Sequence, residues 1–167
     1  MKFEELREEC YRANQEIVEA GLVLLTWGNA SVRSDDGSTF AIKPSGVPYS
    51  TLSPNSMVLL DIDTGVVVEG NLRPSSDTPT HLELYRAFPT VKAIVHTHSH
   101  HAVVFAQGPN EVPILGTTHA DHFRHSIPVT RAMTSKEVAG DYEAATGRVI
   151  VECFSEGGIS PDDVPGV

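Results

Sequence analysis

Two histidines separated by one residue, His96-Thr97-His98, follow the apolar run Ala93-Ile94-Val95. In an extended strand, residues i and i+2 share a face, with Cα atoms roughly 6.6 Å apart. Two imidazoles so placed can converge on one cation of borderline softness, such as Zn2+. Taken alone the pair is a weak signal, because many such histidines are surface or core residues. His100 and His101 follow, but a helix beginning near Ser99 turns them elsewhere and suits them to a supporting role.

Three further clusters suit an anion. Ser75, Ser76 and Asp77 stand before Thr78-Pro79, a helix opening with hydroxyls and free N–H groups at its N-terminus. Lys43-Pro44-Ser45-Gly46 places a lysine at a strand end, then small residues that let backbone N–H groups approach an oxyanion. Thr26-Trp27-Gly28-Asn29 is another turn, with an amide able to donate or accept. Asp121 lies in the polar stretch Thr117–His122, where it could be a general acid/base or a surface cap.

Several functions are disfavoured. Neither a Walker A loop nor a dinucleotide fingerprint occurs, and the Gly-x-Ser-x-Gly of serine hydrolases is missing. A formal net charge of -10 repels a phosphate backbone, so no nucleic-acid partner is expected. A small phosphorylated metabolite is compatible with local donors inside an acidic shell. No apolar run is long enough for a membrane span, and the Glu- and Arg-rich start has no signal-peptide core. Cys10 and Cys153, far apart and without metal-binding spacing, read as buried reduced thiols, and the cytoplasm is expected.

The elements that must position these residues are legible from periodicity. Phe3, Leu6, Cys10, Ala13, Ile17 and Ala20 predict a helix stopped at Gly21, and Leu22–Leu25 reads as a strand. Hairpins are predicted for 30–33 with 39–43 and for 57–62 with 66–69, each around a Gly-containing turn. A helix from Asp77 to about Phe88 precedes a buried strand over Lys92–His98. Further strands are expected at Ile127–Thr130 and Val149–Cys153, with a helix from about Ser135 between them. The mixture predicts an α/β fold of the α+β type, a mostly antiparallel or mixed sheet with helices on both sides. Residues 1–167 read as a single domain. Its Gly-, Pro- and Asp-rich end, 156–167, reads as an unanchored loop, so the domain is expected to be incomplete at the C-terminus.

Together and in this order, TWGNAS, KPSGVPY, PSSDTPTHLELYRAF, IVHTHSHHA and GTTHAD resemble the L-ribulose-5-phosphate 4-epimerases of the class II aldolase/epimerase superfamily. The resemblance spans essentially the whole chain. It implies a class II aldolase-like fold and Zn2+ held by His96 and His98, with Asp77 as a ligand or close neighbour. It also implies that Gly28, Asn29, Lys43, Ser45, Gly46, Ser75 and Ser76 line the phosphate and substrate site. Asp121 becomes one of two proton shuttles at the C4 hydroxyl. Aspartate at position 77, where related sugar-phosphate aldolases usually carry glutamate, favours an epimerase over a fuculose-phosphate-type aldolase.

The implied reaction interconverts L-ribulose 5-phosphate and D-xylulose 5-phosphate. The C4 hydrogen is not acidic, so the C3–C4 bond breaks by a retro-aldol step, the aldehyde turns over, and the bond reforms. Zinc serves as the Lewis acid. The resemblance further implies a cytoplasmic homotetramer acting in arabinose or ascorbate breakdown. A third zinc histidine and a second proton shuttle, a tyrosine, are expected beyond residue 167. Without them residues 1–167 would act poorly, or serve only as a sugar-phosphate-binding fragment. His119, His122 and His125 are candidate substitute ligands, and their spacing favours none of them.

Overall fold

The computed structural model describes residues 3–108 and 110–167. Helix α1 (Phe3–Glu19) buries Leu6, Cys10, Asn14 and Ile17 at helical spacing. Strands β1 (Asn29–Arg33), β2 (Thr39–Ile42), β3 (Val58–Asp61) and β4 (Val67–Glu69) form two successive hairpins, and β5 (Ala93–His96) follows helix α2 (Thr78–Ala87). The five strands lie in the order β4-β3-β2-β1-β5, with every pairing antiparallel. Helices α3 (His100–Gln107), α4 (Thr117–His122), α5 (Ser135–Ala139) and α6 (Tyr142–Gly157), with short 3-10 turns at Tyr49–Thr51 and Pro54–Ser56, complete the described elements.

Side chains on a strand alternate between faces, and here each face has its own core. Val32, Ala41 and Leu59 pack with Leu6 and Cys10 of α1. Phe40, Ile42, Val58 and Leu60 pack on the other face with Leu82 and Tyr85 of α2. Central strands β1 and β2 are therefore buried along their whole length, while edge strands β4 and β5 are partly exposed. Helices on both faces agree with the predicted architecture.

Polar contacts aim the strands. Ala30 lies one residue before the recorded β1–β2 pairing begins at Ser31. Its N–H donates to Asn14 Oδ1 at 2.9 Å, and its carbonyl accepts from Asn14 Nδ2 at 2.9 Å. A buried amide of α1 thus satisfies the backbone beside Asn29. On the other face α6 lies across α2 at Gly147, where an added Cβ would stand 2.7 Å from Glu83 Cβ and 2.9 Å from the Thr80 carbonyl. Only glycine lets the helices approach this closely.

Four expectations need correction. Leu22–Leu25 is not a strand: the chain doubles back so that Trp27 N–H reaches the Leu24 carbonyl at 2.9 Å, with Leu25 at φ 56°. Val149–Cys153 lies inside α6, because Ala145 and Val149 bury one helical face. A short apolar run cannot be told from a strand by periodicity alone. Ile127–Thr130 yields only an isolated bridge between Ile127 and Val112. The closing segment is not unanchored, since Val164 is fully buried and Arg124 N–H donates to the Asp163 carbonyl at 2.9 Å.

Candidate active site

Strand register builds the first wall. Asn29, the first residue of β1, is the direct partner of His96, the last of β5. Directly opposed residues project to the same face, and the N-terminus of α2 meets them there. Asp77 Oδ2 accepts from Asn29 Nδ2 at 2.6 Å and lies 2.7 Å from His96 Nδ1. Asn29 Nδ2 also reaches Ser75 Oγ at 3.3 Å. Asp77 occupies the N-cap position without capping the helix. Its carboxylate is spent instead on a histidine and an amide.

His98 follows two residues later, its ring centroid 4.9 Å from that of His96 and 5.7 Å from that of Trp27. Its N–H donates to the Leu22 carbonyl at 3.0 Å, which ties the 22–28 turn to the end of β5. Gly28 makes this approach possible. At φ +89° an added Cβ would meet the His96 carbonyl oxygen and Val23 Cγ1 at 3.0 Å.

The opposite wall is clamped by backbone. Ser45 N–H donates to the Arg73 carbonyl at 2.9 Å, and Ser75 N–H to the Lys43 carbonyl at 3.0 Å. These bonds bring the 43–46 turn alongside residues 73–76. Lys43 is buried, its Nζ reaching the Pro44 and Thr26 carbonyls at 3.3 and 3.5 Å. Among the described residues no carboxylate lies within 4.0 Å of it.

Both walls enclose one cavity of about 550 Å3. Gly28, Asn29, Lys43, Ser45, Gly46, Ser75, Ser76, Asp77, His96 and His98, spread over the sequence, all line it together with Thr26, Trp27 and Pro44. Asp121 does not. It lies exposed on α4; half-buried His119 and exposed His122 of the same helix, and exposed His125 beyond it, are likewise outside the lining.

The electrostatics separate the roles. Burial pushes the Asp77 carboxyl up, but the His96 hydrogen bond and charge, with the Asn29 amide, outweigh it and hold the group below the usual carboxylate range. An ionised Asp77 accepts the Nδ1–H of His96, so Nε2 is the ring nitrogen left outside that hydrogen bond. Burial, then the neighbouring His96, lowers His98, which favours the neutral ring. Burial also lowers Lys43, against the pull of Asp77. Among the described residues Asn29 Oδ1 is buried without a hydrogen-bond partner, on a residue that lines the cavity.

Two imidazoles side by side suit a divalent cation such as Zn2+. Among the described residues, however, no three His, Cys, Asp or Glu side chains are grouped around a common ion position. Asp77 turns to His96 Nδ1, the position of a carboxylate that orients a metal-binding histidine. The donors present fit a metal as a partial set.

Sequence reasoning passed over the support beneath this corner. Ser31, two residues along β1 from Asn29, lies 2.7 Å from His81 Nδ1 and 2.8 Å from the Tyr85 hydroxyl. His81 stands one helical turn after Asp77, so this buried chain pins α2 to β1. The signal was the strand spacing 29/31 combined with the helix spacing 77/81/85.

The profile of the Class II Aldolase and Adducin N-terminal domain matches residues 8–161. The chain belongs to the class II aldolase family. Among curated members of this superfamily, L-ribulose-5-phosphate 4-epimerase UlaF of Salmonella paratyphi B is 47% identical over 164 residues, covering 98% of this chain and 71% of the relative. The protein of the same name from Salmonella typhi gives the same figures. The class II aldolase fold is also shared with a solved L-fuculose 1-phosphate aldolase, at TM-score 0.71 and 23% identity over 92% of this chain and 86% of the other. YgbL of Klebsiella pneumoniae, a putative aldolase/epimerase/decarboxylase, gives TM-score 0.70 and 24% identity over 92% and 73%.

Proposed function

We propose that this class II aldolase chain is an L-ribulose-5-phosphate 4-epimerase, interconverting L-ribulose 5-phosphate and D-xylulose 5-phosphate. The observation that carries the reading is the buried Lys43 ammonium, without a carboxylate within 4.0 Å, lining the same cavity as the Asn29–Asp77–His96 corner. A buried cation without a contacting countercharge is costly, and a phosphate entering the cavity reduces that cost. The names of the curated relatives supply the substrate.

In this reading Lys43, the Ser45–Gly46 turn and the Ser75 and Ser76 hydroxyls hold the phosphate, so that the aldehyde fragment stays bound after C3–C4 cleavage. Gly28 keeps the turn close to β5, and Asn29 Oδ1 accepts a hydrogen bond from a sugar hydroxyl. His96 Nε2 and His98 would hold Zn2+, with Asp77 fixing the His96 ring. A bound Zn2+ supplies Lewis-acid stabilisation of the negative charge that develops on the cleaved sugar. Asp121 shuttles a proton only if an assembly brings α4 of one copy to the cavity of another, which fits the expected homotetramer. A phosphorylated substrate and two unpaired thiols suit the cytoplasm.

The test is a coupled assay of the natural gene product with and without chelator. Activity is expected to vanish on metal removal and return with Zn2+. Lys43→Met should raise KM roughly ten- to hundredfold, the value of a hydrogen bond to a charged group. No interconversion under saturating Zn2+ would sink the reading.

A further inference from the structure

Tyr49 is not part of the cavity lining, yet it touches residues of both walls. It is buried in a short turn, Tyr49–Thr51, that follows the 43–46 segment. Its ring centroid lies 4.7 Å from Lys43 Nζ, and its hydroxyl donates to the Gly28 carbonyl at 2.8 Å. Burial pushes the phenol up to about 12, so the hydroxyl keeps its proton near neutrality.

The contrast with an ordinary buried lysine is informative. A carboxylate beside Nζ would hold the ammonium but cancel its charge. An aromatic face attracts the cation through its quadrupole and carries no net charge. Lys43 is held by such a face and by two carbonyls at 3.3 and 3.5 Å. Neither contact brings a countercharge into hydrogen-bond range of the ammonium.

We propose that Tyr49 is a positioning residue for anion recognition, holding the Lys43 ammonium against the cavity wall by its ring face without neutralising it. The hydroxyl, anchored on Gly28, sets the angle of that ring. Because Gly28 precedes Asn29, one side chain ties the cation to the strand carrying the Asn29–Asp77–His96 corner. The inference rests on the reading of the cavity as a sugar-phosphate site.

Calorimetric titration with inorganic phosphate tests it in the whole chain. The series is wild type, Tyr49→Phe, and that phenylalanine bearing one, two and three ring fluorines, which drain electron density from the face while nearly preserving shape. Tyr49→Phe is expected to keep phosphate affinity within about threefold, since the face survives. Fluorination should then weaken binding stepwise, by roughly three- to thirtyfold across the series. Lys43→Met is the control and should weaken phosphate binding roughly ten- to hundredfold. A flat fluorination series with that control intact overturns the role of Tyr49 and leaves the phosphate seat standing. Undiminished phosphate binding in Lys43→Met overturns the sugar-phosphate reading itself, and the role of Tyr49 with it.

Discussion

Asp77 Oδ2 lies 2.7 Å from His96 Nδ1, so a carboxylate placed to begin a helix orients a histidine that ends a strand. Asp77→Asn should preserve the shape of this contact and remove its charge. Loss of such an orienting carboxylate typically weakens metal binding ten- to hundredfold. Zn2+ affinity measured by competition with a chromophoric chelator should fall by about that factor. Equal affinity in the two proteins would show that the carboxylate does not tune the ring.

His81 gives the fold a pH dependence. Burial holds it at about 4, against an ordinary value of 6.5. Between those values the unfolded chain binds more protons than the folded one, so stability falls as pH falls through the window. The full effect at the acid end is on the order of 3 kcal/mol. Denaturation midpoints measured from pH 7.5 to 5 should drop, and His81→Gln should flatten that slope. An unchanged slope in the variant would place the acid sensitivity elsewhere.

Ser31 serves two buried partners at once, His81 Nδ1 and the Tyr85 hydroxyl. Ser31→Ala should therefore cost more than one ordinary hydrogen bond. Leaving a buried polar group unsatisfied costs about 1–3 kcal/mol, and equilibrium unfolding would read the loss. A change below about 0.5 kcal/mol would mean that water or a rotated ring replaces the hydroxyl.

Gly147→Ala pits two effects of opposite sign against each other. Alanine favours a helix interior by about 1 kcal/mol over glycine. The added methyl would stand 2.7 Å from Glu83 Cβ and 2.9 Å from the Thr80 carbonyl, in contact with a helix that cannot yield locally. Overpacking of this kind costs about 1–3 kcal/mol, so a net loss of about 1 kcal/mol is expected in thermal or chemical unfolding. A stabilised variant would show that α6 shifts freely over α2.

The hairpins, α1 and α2 were legible because their signals are local: alternation, helical spacing and glycine turns. The cavity residues were legible as clusters, but their convergence depends on the Asn29–His96 pairing, which no local pattern reveals. Leu22–Leu25 misled because an apolar run was read without the turn at Leu25. Val149–Cys153 misled because a short apolar run fits a strand as well as one buried face of a helix, and Ala145 and Val149 are buried together on α6. Asp77 is legible as part of a helix opening before Thr78-Pro79, and the resemblance sets it beside the metal. Its diversion to His96 is a tertiary event, and so is the contact of Tyr49 with Lys43.

The pairing of Asn29 with His96 also sets what length changes this molecule can tolerate. Because side chains on a pleated strand alternate, sliding β5 past β1 by one residue would turn His96 to the opposite face. A single-codon insertion or deletion within either strand would thus dismantle the corner while leaving the sheet able to form. Lengthening the exposed turn around Gly37, outside that pairing, carries no such penalty.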